Sequence, residues 1–335
     1  MKYVKYAIGV LALLVAVSSV TLAPRSHTET GFLLDTYVSV TAFGSNAKSA
    51  AKKALKRANE LDKQLSAYRT DSEVYRINHA GVNVATTVSP DCFYVIRQAL
   101  LLSEKTNGAF DITIKPVMDL WGFGGEQPRV PAQAELEQAL ARVNYKDVLL
   151  DEENQTVTLQ KDGMAIDLGG IAKGYCADET AKILAQAGIK HAYLDFGGNV
   201  VTMGERPLGL WDRLKFRASS RLFSVGIQDP GGPRGQIVSV HTADKDFCSV
   251  VTSGGYERYF EENGQTYHHI LDPKSGTQPQ NDILSVTVIG ESSLTCDALS
   301  TALFVLGPDG FERVKDLCDE VLFVTTSGEV LKYNP

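Results

Sequence analysis

The sequence predicts an α+β protein in which antiparallel sheets carry packed helices. Three features lead there. Strand-like segments follow one another in the second half: "FSVGIQDP", "IVSVHT" and "ILSVTVIG". Segments with one apolar helical face occur too, so strands come in runs as well as between helices, which favours antiparallel sheets over a doubly wound one. The glycine loops of common nucleotide folds are missing: there is no G-x-x-x-x-G-K-[ST], and "WGFGG" lacks the third glycine and the strand-to-helix setting of a dinucleotide fingerprint.

The elements follow in chain order. "MKYVKYAIGVLALLVAVSSVTLAPRSH" places Lys2 and Lys5 before an uncharged apolar run from Tyr6 to Ala23. A run of roughly 18 residues is long enough to cross a bilayer and also reads as a secretory signal. Thr-Leu-Ala resembles a cleavage site, though Pro24 follows it directly. Residues 1–30 are therefore expected to be a signal peptide or membrane anchor. Residues 31–335 would be the folded body, exported to the periplasmic face of the cytoplasmic membrane and tethered there or released by cleavage. "LLDTYVSVTAF" alternates as a strand, and residues 47–66 put Ala51, Leu55, Ala58, Leu61 and Leu65 on one helical face. Ser89-Pro90-Asp91 starts a helix that ends near Asn107-Gly108. "KDVLLDEENQTVTLQ" reads as a hairpin and "MAIDLGG" as a short strand entering a glycine turn. Residues 175–187 read as a helix, "HAYLDFGGNVV" as one strand, "CDALSTALFVLG" as a helix and "EVLFVTT" as a late strand.

A net charge of −7 argues against a nucleic-acid partner, which needs a basic surface. The five cysteines are scattered, odd in number and without zinc spacing, and are expected to be buried small hydrophobes.

Four stretches could carry chemistry. In "DLGGIAKGY", Asp167 closes an apolar segment, Gly169 and Gly170 admit a close ligand, and Lys173 stands near a helix start, where a phosphate is favoured; a plain turn with a solvated lysine fits as well. In "TCDALSTAL", Asp297 and Thr301 share a helical face with Ser300 one step aside, an oxygen set suited to Mg²⁺. Asp297 equally fits a first-turn acid meeting the helix dipole, with Thr295 as cap. "GAFDITIKPVMDLWGFG" sets Asp111 in an apolar strand and Trp121 and Phe123 among glycines, for a flat ring or for core packing. In "HHILDPKSG" a histidine could take a proton from a hydroxyl, with Asp272 orienting it or only capping the turn.

Together with "LSAYRTDSEVYRIN", "LDFGGNV" and "TSGGYERYF", these stretches run in order from about Leu33 to Leu306 and resemble the ApbE family, the FAD:protein FMN transferases. The resemblance implies a T-fold-like architecture and Mg²⁺-dependent flavinylation. FMN would pass from FAD, the substrate, to a threonine hydroxyl of an acceptor protein through a phosphoester bond, with release of AMP. The acceptor would be a subunit of a membrane redox complex or an exported flavoprotein. By position, Leu34, Tyr68, Ala109, Phe110, Asp111, Asp167, Lys173 and Leu271 would contact FAD. The carbonyl of Gly170, with Asp297, Ser300 and Thr301, would hold Mg²⁺. His269 would be the general base, and His268 would not. The chain departs from the family pattern at Leu34-Asp35-Thr36, at Ser300 and at Gly255, and residues 203–223 are longer and more basic than usual, which suits acceptor docking or a solvated insertion. Two rival functions are a Mg²⁺-dependent FAD pyrophosphatase and a flavin-binding protein without turnover.

Overall fold

The computed structural model describes residues 25–123, 125, 127–207, 222–233, 236–243 and 245–335. The N-terminal apolar run and most of the 203–223 stretch lie outside the described residues. Among the described residues no helix is long and apolar enough to cross a membrane.

The centre is an eight-stranded sheet in the order β1 (Ser26–Leu33), β2 (Thr36–Phe43), β6 (His191–Phe196), β7 (Asn199–Met203), β10 (Phe247–Gly254), β13 (Ile283–Gly290), β14 (Glu320–Thr325), β15 (Val330–Tyr333). Its pairings are all antiparallel, as the succession of strands predicts. Smaller sheets are formed by β3 (Thr86–Thr87), β5 (Thr156–Leu159) and β4 (Val148–Asp151), by β8 (Ser224–Gln228) with β9 (Ile237–Thr242), and by β11 (Tyr259–Glu262) with β12 (Gln265–His268). The strand β1 begins at Ser26, five residues ahead of the expected boundary of the body.

Helix α1 (Ala47–Leu65) buries Ala51, Ala54, Ala58, Leu61 and Leu65 against Val38, Val40 and Ala42 of β2, the faces their periodicities predict. The short α2 (Glu73–His79) follows it. Helix α3 (Pro90–Lys105) starts at Ser89, whose hydroxyl accepts from the Cys92 N–H, with proline in its first turn. Helices α4 (Lys115–Trp121) and α5 (Gln133–Leu140) pack with the β11–β12 hairpin around Trp121, Leu136 and Leu271. Helices α6 (Ala172–Gln186) and α7 (Ser293–Leu306) lie side by side on the face of the large sheet that also carries α1. The opposite face is covered by β8 and β9 through Val225 and Ile227, packed on Val200, Val250, Ile289 and Leu322.

Several local expectations are corrected. "HAYLDFGGNVV" is two strands, β6 and β7, because Gly197 and Gly198 both take positive φ and reverse the chain. Thr36 leaves no room for a Cβ on Gly197. "MAIDLGG" makes no ladder; it is held instead by the bonds Ile166 N–H to Asn78 Oδ1 and Asp167 N–H to the Ile112 carbonyl. Asp111 is not in a strand but caps a 3₁₀ turn over Ile112–Ile114. Helix α7 starts at Ser293 with Ser292 as cap, so Thr295 is not the cap and Asp297 is beyond the first turn. All five cysteines are buried, as expected.

Helices α6 and α7 meet backbone to backbone. A Cβ on Gly174 would collide with the Ser293 carbonyl oxygen and come within 2.7 Å of Leu294 Cα, backbone that cannot swing aside. Gly174→Ala is therefore expected to destabilise the protein by about 1–3 kcal/mol or more, the range for overpacking. Urea unfolding checks this, and an unchanged midpoint would contradict the contact.

Candidate active site

The site forms where the helix face of the sheet meets the ends of β2, β6 and β10 that share one edge. Its centre is Asp297 on α7, whose side chain is 3% exposed. One carboxylate oxygen accepts from the Gly174 N–H at 2.9 Å and the other from Lys173 Nζ at 3.3 Å. Lys173 also reaches the Gly169 carbonyl at 3.3 Å. It stands in the first turn of α6, where unpaired N–H groups add positive potential. The helix begins three residues earlier than its apolar pattern indicates.

Thr301 lies one turn on from Asp297. Its Oγ1 would be 3.5 Å from a Cβ on Gly170, and Phe110 Cε2 would be 3.1 Å from that Cβ. Glycine at 170 therefore keeps a gap between the loop, the threonine and the Phe110 ring. Ser300 Oγ donates to the Asp297 carbonyl at 2.9 Å and lies 2.7 Å from Ser253 Oγ, which is 3.4 Å from Thr301 Oγ1. Ser253, at the end of β10, joins the site although no sequence reading named it; its place in "TSGGYERYF" was the available signal. Among the described residues no three His, Cys, Asp or Glu side chains cluster as a metal site. The donors here are one carboxylate, hydroxyls and a loop backbone. That set fits a hard divalent cation that takes few protein ligands and leaves the rest to phosphate and water.

Asp167 accepts from the Gly169 N–H at 2.7 Å, which folds the glycine loop. The same carboxylate stands against the Tyr68 hydroxyl. Burial of that end and the nearby negative charge push the phenol well above its ordinary pKa.

His269 follows β12. Its N–H and its ring Nδ1 both meet the Arg258 carbonyl, at 3.1 and 3.2 Å. A carbonyl only accepts, so Nδ1 carries the hydrogen and Nε2 keeps its lone pair. Burial pushes the imidazole down to about 4, helped by the positive charges of Arg258 and Lys173. Asp272 does not orient this ring. Its side chain accepts from the Lys274 N–H, and its carbonyl accepts from the Gly276 N–H, so it caps the turn. His268 packs edge-on against Phe304.

Arg258, also unnamed in the sequence reading, pairs with Asp35 at 3.7 Å. Leu34 and Asp35 form the β1–β2 turn, both at positive φ, and the Leu34 N–H is tied to Asp62 Oδ1 at 3.1 Å. That pair brings the turn to the site. Four of the residues assigned through the resemblance, Ala109, Phe110, Asp111 and Leu271, have buried side chains. The Asp111 carboxylate accepts from the Thr113 N–H, the Thr113 hydroxyl and the Tyr145 N–H. Leu271 is packed with Trp121, and Ala109 is buried next to Phe110. Trp121 belongs to the core, its indole N–H on the Gly276 carbonyl at 2.8 Å.

Burial pushes His268 down to about 4 as well. Between about pH 6.5 and 4 both rings stay neutral in the folded protein and take up protons when it unfolds. Stability is thus expected to fall as pH falls through this window, on the order of 1 kcal/mol per histidine. Asp178, pushed up to about 6 by burial, acts with the opposite sign and offsets part of the loss. Urea midpoints at pH 7 and 5 test this. The drop should shrink in a His268→Gln/His269→Gln double variant, and an equal drop would contradict the assignment.

The chain matches the ApbE family over residues 34–323. It is 35% identical over 293 residues to an FAD:protein FMN transferase of Klebsiella pneumoniae (strain 342), covering 87% of each chain. It is 34% identical to one of Treponema pallidum (strain Nichols), over 84% of this chain and 79% of the other. The solved structure of the ApbE protein of Thermotoga maritima superposes with a TM-score of 0.80 at 34% identity, covering 92% of this chain and 97% of that one. The flavin transferase ApbE from Vibrio cholerae gives 0.77 at 25% identity, covering 93% and 97%. The family match, the sequence identity to these transferases and the shared fold show that the chain belongs to the ApbE family.

Proposed function

We propose that this protein is a Mg²⁺-dependent FAD:protein FMN transferase that acts on a threonine hydroxyl of an exported or membrane-bound redox protein. The observation that carries the reading is the way His269 is held beside the lysine–aspartate pair. Its Nδ1–H is tied to the Arg258 carbonyl, and it lies within the field of Lys173, which in turn reaches Asp297.

Asp297, Thr301 and Ser300, with the Gly170 carbonyl, would hold the cation, which when bound would neutralise phosphate charge and orient the pyrophosphate. Lys173 and the α6 N-terminus offer further positive potential to the bridging oxygens. Leu34, Tyr68, Ala109 and Phe110 supply apolar contact for FAD. Asp111 and Leu271 belong to the same set of proposed FAD contacts, and their side chains are fixed by the Thr113 hydroxyl and by packing on Trp121. His269 Nε2 accepts the proton of the acceptor hydroxyl as its oxygen bonds the FMN phosphorus. The bond from that phosphorus to the bridging oxygen breaks, and AMP leaves. A base placed in this way contributes about 10²–10⁴-fold.

Incubating the protein with FAD, Mg²⁺ and candidate acceptors, followed by intact mass and in-gel flavin fluorescence, tests the assignment. FMN attached to protein and lost on chelation supports it. Free FMN and AMP alone would make the protein a pyrophosphatase, and intact FAD would make it a binder. His269→Ala should transfer at least about a hundredfold more slowly while still binding FAD, and Asp297→Asn, which keeps the acceptor for the Gly174 N–H, should lose transfer but stay folded. His268→Ala should remain near wild type. Equal losses in the two histidine variants would place the base elsewhere.

The export reading rests on Lys2, Lys5 and the Tyr6–Ala23 run. Residues 1–30 fused to alkaline phosphatase should give activity outside the cytoplasm. A fusion that stays inside and inactive would remove this part of the proposal.

A further inference from the structure

We propose that Lys115 is a positioning residue for FAD: its ammonium, clamped by Asp119, fixes the Tyr68 ring as a rigid shelf for one of the nucleotide's planar ring systems. This rests on FAD being the ligand. Lys115 opens α4, and its side chain is only 10% exposed. Its Nζ bonds both oxygens of Asp119, at 2.6 and 2.9 Å, one helical turn on. The same nitrogen lies 4.5 Å from the centroid of the Tyr68 ring, within cation–π reach.

A helix-surface lysine paired to an acid at i+4 ordinarily extends into water, where the pair stabilises little. Here Asp119 is half exposed while the lysine is covered, so the ion pair alone does not account for the covering. The ring of Tyr68 lies over the ammonium.

Tyr68 itself is 61% exposed, among the most exposed aromatics of the described residues. A large exposed aromatic ordinarily samples several rotamers and loses that freedom when it binds. This one is held at three places. Its backbone N–H donates to Ser66 Oγ at 3.2 Å, its hydroxyl end stands against Asp167, and one ring face rests on Lys115. The other face is left for a ligand. Asp167 and Lys173 both hold the glycine loop, through the Gly169 N–H and the Gly169 carbonyl, so the shelf and the phosphate-facing groups share one support. Fixing the ring before binding removes an entropy cost from the binding step.

The test compares Lys115→Met, which keeps the stem and removes the charge, with Lys115→Arg, which keeps a cation. FAD binding is measured by calorimetry and flavin fluorescence without acceptor, alongside thermal melting. Lys115→Met should weaken FAD binding about three- to thirtyfold, the span of a cation–π contact, and raise the KM for FAD while leaving kcat within about twofold. Lys115→Arg should bind within about threefold of wild type. Unchanged FAD binding in Lys115→Met overturns the proposal, as do equal losses in both variants accompanied by lower melting temperatures. If wild type binds no FAD, the ligand assignment falls first and this inference with it.

Discussion

Everything at the site depends on α6 and α7 touching backbone to backbone. Gly174 is the residue that permits it, and the contact does two things at once. It brings the Gly174 N–H to the Asp297 carboxylate, and it sets Lys173 opposite the other carboxylate oxygen. A second clamp lies along the same seam: Asp178 of α6 accepts from Ser292 Oγ and from the N–H groups of Ser293 and Leu294. An acid at the start of α7 both fills orphan donors and meets the positive end of the helix. The pair of helices thus arrives at the sheet as one unit, with a buried carboxylate held at the height where Thr301 and Ser253 can meet it.

The fold divides the labour between rigid and peripheral parts. Lys173, Asp297, Ser300 and Thr301 come from two packed helices and Ser253 from a strand end, elements that rest on a large apolar cluster. The imidazole comes from the far side, on a turn anchored by backbone. One carbonyl, that of Arg258, fixes both the main chain and the ring of His269. Through its side chain the same residue ties this hairpin to the β1–β2 turn. The turn holds a leucine and an aspartate at positive φ, a conformation uncommon for such residues, maintained by the Asp62 bond.

Much of this was legible in the residues. The apolar faces of α1 and α3, the Ser89 cap, the Asp297–Thr301 spacing and the glycine loop before Lys173 are local patterns, and local patterns survive folding. What escaped was set by particular hydrogen-bond partners, near or distant in sequence. Asp111 looks like part of a strand but caps a short turn, because Thr113 and Tyr145 bring it donors. "MAIDLGG" has strand composition, but Asn78 and Ile112 take its N–H groups outside any ladder. Asp297 reads as a first-turn acid until Ser292 is seen to start α7 earlier. Ser253 and Arg258 both lie in "TSGGYERYF", but their roles come from Ser300 and His269, more than ten residues away.

The buried cysteines have a consequence for where such a body can work. Disulfide exchange requires a thiolate within reach of its attacker. Burial raises the thiols of Cys92, Cys176 and Cys296, and brings Cys318 up to about 11. Once packed, these sulfurs are neither ionised nor accessible, so an oxidising or a reducing medium meets the same protein surface. The time of risk is earlier, while the chain is still open and its thiols titrate normally. Closure of the core, rather than any redox partner, is what makes the finished molecule indifferent to the potential around it.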